Sequence, residues 1–521
     1  MANGGPRRPR RCALPRFRPI LGATRLAQED IVSERIAIPA QGLDHARILE
    51  QLQGFRAQDA DWKAGRTWAL VYYAGEAHYD LIKQAHHLYF SENGLNPIAF
   101  GSLKRMETDV VSMTASMLHA PADAVGTMTS GGTESLLLAV KAYRDRARKL
   151  KPWIRKPEMV LPRTAHCAFD KAAHYFGVKA RYAPVGPDFR ADPAAMRKLI
   201  NRNTVLLVAS APQYPQGVVD PIEDIAALAR EKKLPLHIDA CFGGFVLPWL
   251  EKAGVAVPLW DFRVDGVTSI SADLHKYGFA AKGASTLTYR DMSYLKHQFF
   301  VSTDWPGGIY ASATIPGTRP GGPIAAAWAA LHAMGEDGYV RTARVAWETA
   351  ARLRAGVDAI DGIRNCTTAH APVVSYMADA ADVDIYVVAD RMTEKGWEVS
   401  RQQYPACVHM TVNANQAPIV EAYLADLTEA VAWCRAHPEA RKTGEAAMYG
   451  MMAKVPIRAF VKQSVLKVME AMYAPGVGGM PDLGNLGGGE GDDPLLKLVD
   501  KYGDQAMEAL DKLSDARAAL K

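Results

Sequence analysis

The sequence predicts an α/β fold, a large domain on a mostly parallel sheet followed by a smaller α+β domain. Three observations predict it. Between residues 110 and 320, helical patterns alternate with short, nearly continuous apolar runs, the texture of strands covered on both faces. From residue 371 that texture gives way to a short strand, helix and strand set. Finally, a chain of 521 residues, 49% apolar and 22% charged, can bury a large core and divides into two or more domains.

Residues 1–58 form a basic N-terminal arm, with seven arginines ahead of the first acidic residue, Glu29. It reads as a partly disordered arm, a targeting peptide or an over-long start of the reading frame. The formal charge of +5 comes from that head, and the remaining chain is close to neutral, so composition gives no case for nucleic-acid binding. Residues 111–370 make the large domain. In it, "GGTESLLLAVKAYRDRARKL" (131–150) is a helix with a basic far end, and "EMVLP" (158–162), "TVLLVASA" (204–211), "LPLHIDA" (234–240) and "GVTSISAD" (266–273) are strands. Residues 371–460 form the small domain, from "APVVSYMA", "DIYVVADRMTEKGW" and "CVHMTVN". Residues 461–521 hold a glycine-rich linker (475–494) and an amphipathic C-terminal helix, "LLKLVDKYGDQAMEALDKL".

No run of about 18 uncharged apolar residues occurs, so no transmembrane segment is expected. The most apolar stretch, "LPLHIDACFGGFVLPWL", contains His237 and Asp239. The six cysteines are scattered, which suits reduced thiols in a soluble, cytoplasmic protein. His86 and His87 lack a helical partner pattern, so no metal site is expected.

Four features fall where predicted strands leave the core, the edge at which open parallel sheets bind ligands. "TSGGTES" opens a helix, and Ser130, Gly131, Gly132 and Thr133 offer hydroxyls and backbone N–H groups to a phosphate. The same residues also make an ordinary glycine turn with a Ser/Thr cap. Asp239 ends the "HIDA" strand, where a buried carboxylate needs a partner. A protonated pyridine nitrogen is one such partner; a helix cap or a structural ion pair is another. His166, in "TAHCAFDKAA", either stacks on an aromatic cofactor ring or is a satisfied core histidine. In "SADLHKYGFAAKG", Lys276 is a candidate Schiff-base amine with His275 beside it. Together the four match the binding inventory of pyridoxal phosphate.

With these residues in view, the ordered set "SGGTES", "HIDACFGGF" and "SADLHKYG" resembles the fold-type-I pyridoxal-phosphate enzymes of the amino-acid decarboxylase group. "TDWPGGIYASATIPGTRPGG" (303–322) and "SAPQYPQGVVDPIEDIA" (210–226) are more narrowly similar to the sphingosine-1-phosphate lyase family. The resemblance runs between residues 60 and 455, about three quarters of the chain. It implies a Schiff base on Lys276, His275 on the cofactor phosphate, Asp239 on the pyridine nitrogen and His166 on the ring. It also implies Tyr72, from "GRTWALVYYAG", in the active site, with the adjacent Tyr73 as the one-residue alternative. Tyr214 is implied in proton transfer and Lys282 on the substrate phosphate. Many members read "S-N-P-x-H-P-D-x-F-P" where this chain has "SENGLNPIAFG". Asn93 keeps the asparagine of that cofactor-binding stretch, but Asn96 replaces the histidine, an amide in place of a cation in the phosphate pocket.

The reaction implied is retro-aldol cleavage of a phosphorylated sphingoid base, such as sphingosine 1-phosphate, to a long-chain aldehyde and phosphoethanolamine. Either Tyr214 or Lys276 serves as the base, while Lys282, Tyr72 and Asn96 hold the phosphate end. The alternative is an amino-acid decarboxylase with the same lysine, aspartate and histidine. The family also implies a homodimer with active sites at the subunit interface, where residues 59–110, with Tyr72, Asn93 and Asn96, serve the other chain's cofactor.

Overall fold

The structure, a computed structural model, describes residues 36–57, 59–442, 446, 449–450 and 458–473. The arginine-rich head, the glycine-rich stretch and the C-terminal helix expected from the sequence lie outside the described residues. The chain divides into two units, residues 1–48 with 457–489, and residues 49–456 with 490–521. In the smaller unit, a helix spans Arg458–Met472. The larger unit carries the three sheets of the described residues.

Helices α1 (His45–Arg56), α2 (Glu76–Leu88) and α3 (Gly101–Met117) precede the first strand. The large sheet has seven strands: β1 (Val125–Thr129), β2 (Glu158–Pro162), β3 (Lys179–Ala183), β4 (Thr204–Ser210), β5 (Leu236–Asp239), β6 (Val267–Ala272) and β7 (Ser285–Tyr289). Their order is β1-β7-β6-β5-β4-β2-β3. β2 to β6 pair in parallel, and β7 runs antiparallel between β6 and β1, so β1 points the same way as the parallel set. The four strands expected from "EMVLP", "TVLLVASA", "LPLHIDA" and "GVTSISAD" are β2, β4, β5 and β6. All four are buried at every residue, as their nearly continuous apolar runs lead one to expect.

Helices α4 (Gly132–Leu150), α5 (Ala168–Phe176), α6 (Pro193–Leu199), α7 (Ile222–Lys232) and α8 (Leu247–Lys252) connect these strands and cover both faces. One core layer joins α4 and α5 to the sheet through Leu137, Tyr143, Phe169 and Leu206. The opposite layer gathers Val110, Ile225, Phe245, Trp260 and Ile270. After α9 (Met292–Leu295), β8 (Phe300–Ser302) and β9 (Tyr310–Ser312) form a hairpin, and α10 (Gly321–Asp358) leads on, kinked where Gly335 takes a φ of +55°.

The small sheet is antiparallel, in the order β10 (Ile363–Asn365), β11 (Val373–Ala378), β13 (Cys407–Thr411) and β12 (Ser400–Gln402). Helices α11 (Ile385–Glu394) and α12 (Val420–Ala436) back it around Trp397, Tyr376 and Tyr423. Asp384 caps α11 by accepting from the N–H groups of Tyr386 and Val387. This sheet draws β10 from ahead of residue 371.

Candidate active site

The carboxyl ends of β1, β2, β4, β5 and β6 meet along one edge, and the residues singled out in the sequence follow those ends. Helix α4 starts there with no side-chain cap. Ser130 is committed elsewhere: both its N–H (2.7 Å) and its hydroxyl (2.6 Å) donate to Glu134 Oε2, whose other oxygen accepts from the N–H of Ile315. The anion-binding capacity of this turn therefore rests on the leading N–H groups of Gly131, Gly132 and Thr133, which have no carbonyl within their own helix. A Cβ on Gly132 would fall 2.7 Å from Asp273 Oδ2 and 2.8 Å from Cys241 Sγ, so only glycine lets the backbone pass. Serine hydroxyls stitch this turn to the sheet: Ser135 lies 2.7 Å from Thr129 Oγ1 and 2.8 Å from Ser285 Oγ.

Lys276 follows β6, and its Nζ lies 3.0 Å from Asp273 Oδ2. Asp273 is 2% exposed and its Oδ1 accepts no hydrogen bond. Burial opposes its charge, but the Lys276 ammonium, His275 and the Ser285 hydroxyl outweigh burial and hold its pKa below the ordinary value. Burial likewise works against the Lys276 ammonium. Asp273, with Cys241 and Tyr72, more than offsets it, so Lys276 titrates above an ordinary lysine. His275 Nδ1 accepts from the N–H of Ala284 at 3.4 Å, and its Nε2 lies 3.6 Å from Asp273 Oδ2. Burial lowers the His275 pKa.

Asp239, 7% exposed at the end of β5, accepts at Oδ1 from the N–H of Cys241 at 3.1 Å. His166, beyond β2, is exposed, and its Nδ1 accepts from the N–H of Ala168 at 3.1 Å. The ring is thus turned by the start of α5 and is not a core histidine.

Tyr72 and Lys282 lie on the other side of Lys276. The Tyr72 ring meets Tyr277 edge-on at 4.9 Å, and Lys282 Nζ sits 5.5 Å from its centroid. Lys282 donates to the carbonyls of Leu70 and, at 3.4 Å, His275, and burial lowers its pKa. Both residues, with His275, His78 and Phe279, line a cavity of about 420 Å³. The neighbouring Tyr73 lines the same cavity, and its hydroxyl donates to Glu76 at 2.6 Å. Tyr214 lies against His409, ring centroids 4.2 Å apart, and burial raises its pKa.

Asn93 and Asn96 are set apart from this cluster. Asn93 Oδ1 accepts from Leu95 (3.0 Å) and Arg319 (3.1 Å), and Asn96 Oδ1 accepts from Ile98 (3.0 Å) and Ala99 (3.2 Å). The sequence reading missed Asp273, although it stood three residues before Lys276 in the stretch already singled out. It also passed over Glu134, one residue from the glycine turn, and His409 and Thr411, whose only signal was alternation in "CVHMTVN".

Pyridoxal phosphate fits this edge. The uncapped helix and the Gly132 passage suit its phosphate, Asp239 its ring nitrogen, and Lys276 its aldehyde. The pyridoxal-dependent decarboxylase conserved domain matches residues 88–379. The chain is 42% identical to rat sphingosine-1-phosphate lyase 1 over 441 residues, 84% of this chain and 77% of that one. It is also 42% identical to the Arabidopsis thaliana sphingosine-1-phosphate lyase over 444 residues, 84% of this chain and 81% of that one. Among solved structures, the Burkholderia pseudomallei sphingosine-1-phosphate lyase is similar with a TM-score of 0.75 and 38% identity, covering 83% of this chain and 97% of that one. A Lactobacillus brevis glutamate decarboxylase, at 22% identity and a TM-score of 0.68, covers 77% of this chain and 95% of that one and shares the fold. The chain belongs to the pyridoxal-dependent decarboxylase family, within its sphingosine-1-phosphate lyase branch, and its cofactor is pyridoxal 5′-phosphate.

Proposed function

We propose that this chain cleaves the C2–C3 bond of a phosphorylated sphingoid base such as sphingosine 1-phosphate, releasing a long-chain aldehyde and phosphoethanolamine. The observation that carries the reading is Lys282, a partly buried cation six residues beyond Lys276, on the wall of the 420 Å³ cavity. The names of the relatives matched over 84% of the chain support it. When bound, pyridoxal phosphate supplies the electron sink and the carbonyl that a substrate amine and Lys276 share. Asp239 would hold the ring nitrogen protonated, the α4 N–H groups with His275 would hold the phosphate, and His166 would contact the ring. Lys282 binds the substrate phosphate, and by fixing that end it orients the bond to be broken.

The C3 hydroxyl proton goes to Lys276 Nζ once the substrate amine has freed it as a neutral amine, or to the Tyr214 oxygen once that phenol has lost its own proton to solvent. As found, both carry protons: Asp273 keeps Lys276 an ammonium, and burial keeps Tyr214 a phenol. Tyr214→Phe decides between them. A loss of roughly 100-fold or more in kcat, the scale of general acid–base catalysis, assigns the proton to Tyr214, and a loss of a few fold assigns it to Lys276.

We also assign Asn93 and Asn96 to the partner's site in a homodimer. Their segment exposes Leu88 (73%), Phe90 (73%) and Ile98 (95%), the kind of surface that a second copy covers. The Asn96 turn uses the amide oxygen and leaves its NH₂ group to donate. Tyr72, by contrast, packs beside its own chain's Lys282 and Tyr277. The five described cysteines are free thiols, which supports a reducing, cytoplasmic setting.

Aldehyde release from sphingosine 1-phosphate by the purified protein, and none from Lys276→Ala, is the expected result. Carbon dioxide from an amino acid without any aldehyde from the phosphorylated base would make the chain a decarboxylase instead.

A further inference from the structure

Two buried glutamates fasten the 303–322 segment to the carboxyl end of β1. Glu107, 6% exposed, accepts from the N–H of Met128 at 3.1 Å and pairs with Arg319 at 2.7 Å, so it is the counter-ion of an arginine. Glu134, 7% exposed, differs in that its three donors are all uncharged. Its Oε2 accepts from the N–H and the hydroxyl of Ser130, at 2.7 and 2.6 Å, and its Oε1 accepts from the N–H of Ile315 at 2.8 Å. The bonds to Ser130 are local: Glu134 is the third residue of α4, where a glutamate reaches back to a free N–H ahead of the helix and suits the positive end of its dipole. The bond to Ile315 spans 181 residues and joins the turn to a distant segment. Both backbone N–H groups can only donate, so each oxygen of Glu134 must accept, and an amide, with one accepting oxygen, cannot replace it. The turn itself faces the cofactor edge, since a Cβ on Gly131 would fall 3.2 Å from His275 Cε1.

We propose that Glu134 is a positioning residue of the cofactor site: its two oxygens lock the phosphate-binding turn to the 303–322 segment, so that turn and segment become ordered together. This rests on the place given above to the α4 N–H groups, on the cofactor phosphate. Because Ser130 is held from both its N–H and its hydroxyl, the N–H groups of Gly131, Gly132 and Thr133 that follow it keep one direction. The contribution of Glu134 is therefore geometric. Its charge works the other way, since a carboxylate on the turn repels a phosphate bound there. A role of charge alone makes the cofactor bind more tightly when Glu134 is neutralised, and a role of position makes it bind more weakly.

The test takes the full chain freed of cofactor and measures its affinity for pyridoxal phosphate by fluorescence titration, with amide hydrogen exchange read by mass spectrometry. Glu134→Gln should weaken the affinity roughly tenfold, the scale of one buried N–H left without its acceptor. It should also speed exchange in residues 312–319, while peptides of the small domain exchange as in the native protein. Glu134→Asp keeps the charge but is one carbon too short to span Ser130 and Ile315. It should weaken the affinity as well, and it gives the same readout if the glutamine variant does not fold. In the native protein, loading with pyridoxal phosphate should slow exchange in residues 312–319. Excess pyridoxal phosphate should return aldehyde release by either variant to within about threefold of native, because the oxygens of Glu134 bond Ser130 and Ile315 and no reacting atom. Tighter binding by Glu134→Gln, native affinity in Glu134→Asp, exchange in 312–319 that neither variant nor cofactor alters, or a kcat still low at saturation would each overturn the positioning role. Aldehyde from neither the native protein nor its variants would overturn the lyase reading, and the affinity and exchange results would still decide the role of Glu134.

Discussion

In the cofactor-free chain Lys276 is held as an ammonium by Asp273, three residues earlier and nearly fully buried, whose Oδ2 lies 3.0 Å from its Nζ. The pairing has consequences for stability as well as chemistry. Asp273 has a depressed pKa, so its contribution is present above the ordinary carboxylate range and is lost as pH falls through its folded value. Lys276 has a raised pKa, so its contribution is present below the ordinary lysine value and is lost as pH rises through the folded one. The pair therefore stabilises the fold across the whole neutral window. Asp273→Asn leaves a partly buried ammonium without its counter-ion, and removing one member of a buried pair typically costs about 3–5 kcal/mol. Because Lys276 is partly open to solvent, about 2 kcal/mol is the expected loss in urea unfolding at pH 7. A loss below about 0.5 kcal/mol would mean that the pair forms no such anchor. The same variant should bring the Lys276 pKa down, so that reaction of Nζ with an added aldehyde, trapped by borohydride, becomes faster at neutral pH than in the native protein.

At the scale of elements, the start of α4 shows how a helix end, a strand end and a glycine make one pocket. Gly132→Ala places a methyl 2.7 Å from Asp273 Oδ2 and 2.8 Å from Cys241 Sγ, so the carboxylate must move away from Lys276. We expect destabilisation of about 1–3 kcal/mol, as for other overpacked sites, and at least a roughly tenfold weaker affinity of the cofactor-free protein for pyridoxal phosphate. Fluorescence titration reads the affinity, and an unchanged value would remove the turn from the phosphate site. This turn was legible in the sequence as glycines between an apolar strand and an amphipathic helix, a pattern that an ordinary capped turn shares. β2, β4, β5 and β6 were legible for a related reason: nearly continuous apolar runs of strand length suit strands covered on both faces. β3, whose residues are mostly half-exposed, and β7, an antiparallel insertion rich in threonine, carry no such signature. His409 and Thr411 were illegible because their bonding depends on a carbonyl 194 residues from His409, at Pro215. The bond from the Ser130 hydroxyl to Glu134 on the next turn had no signal in the sequence reading.

For the whole molecule, the response to acid is set by buried groups far from each other. His237, on β5, is fully buried, bonded at Nδ1 to Ser269 Oγ at 2.8 Å, and burial pushes its pKa down to about 3. His409 is pushed down to about 4 for the same reason. In the unfolded chain both imidazoles take up a proton near pH 6.5, so below that value the unfolded state binds two protons that the native state refuses. Asp220 works in the other direction. It is buried, it accepts from the N–H groups of Ala191 and Ser210, both at 2.8 Å, and burial raises its pKa to about 6, so the native state binds one proton that the unfolded carboxylate does not. Between roughly pH 6 and pH 4 these three groups alone give one net proton in favour of the unfolded state, a slope of about 1.4 kcal/mol per pH unit from them. Urea unfolding at pH 7, 6 and 5 should therefore show stability falling on acidification well before ordinary carboxylates titrate. His237→Gln, which keeps a polar partner for Ser269 but cannot titrate, should flatten that slope by about one proton. A stability that is level or rising from pH 6.5 to pH 5 would show that the two imidazoles are not held neutral in the core.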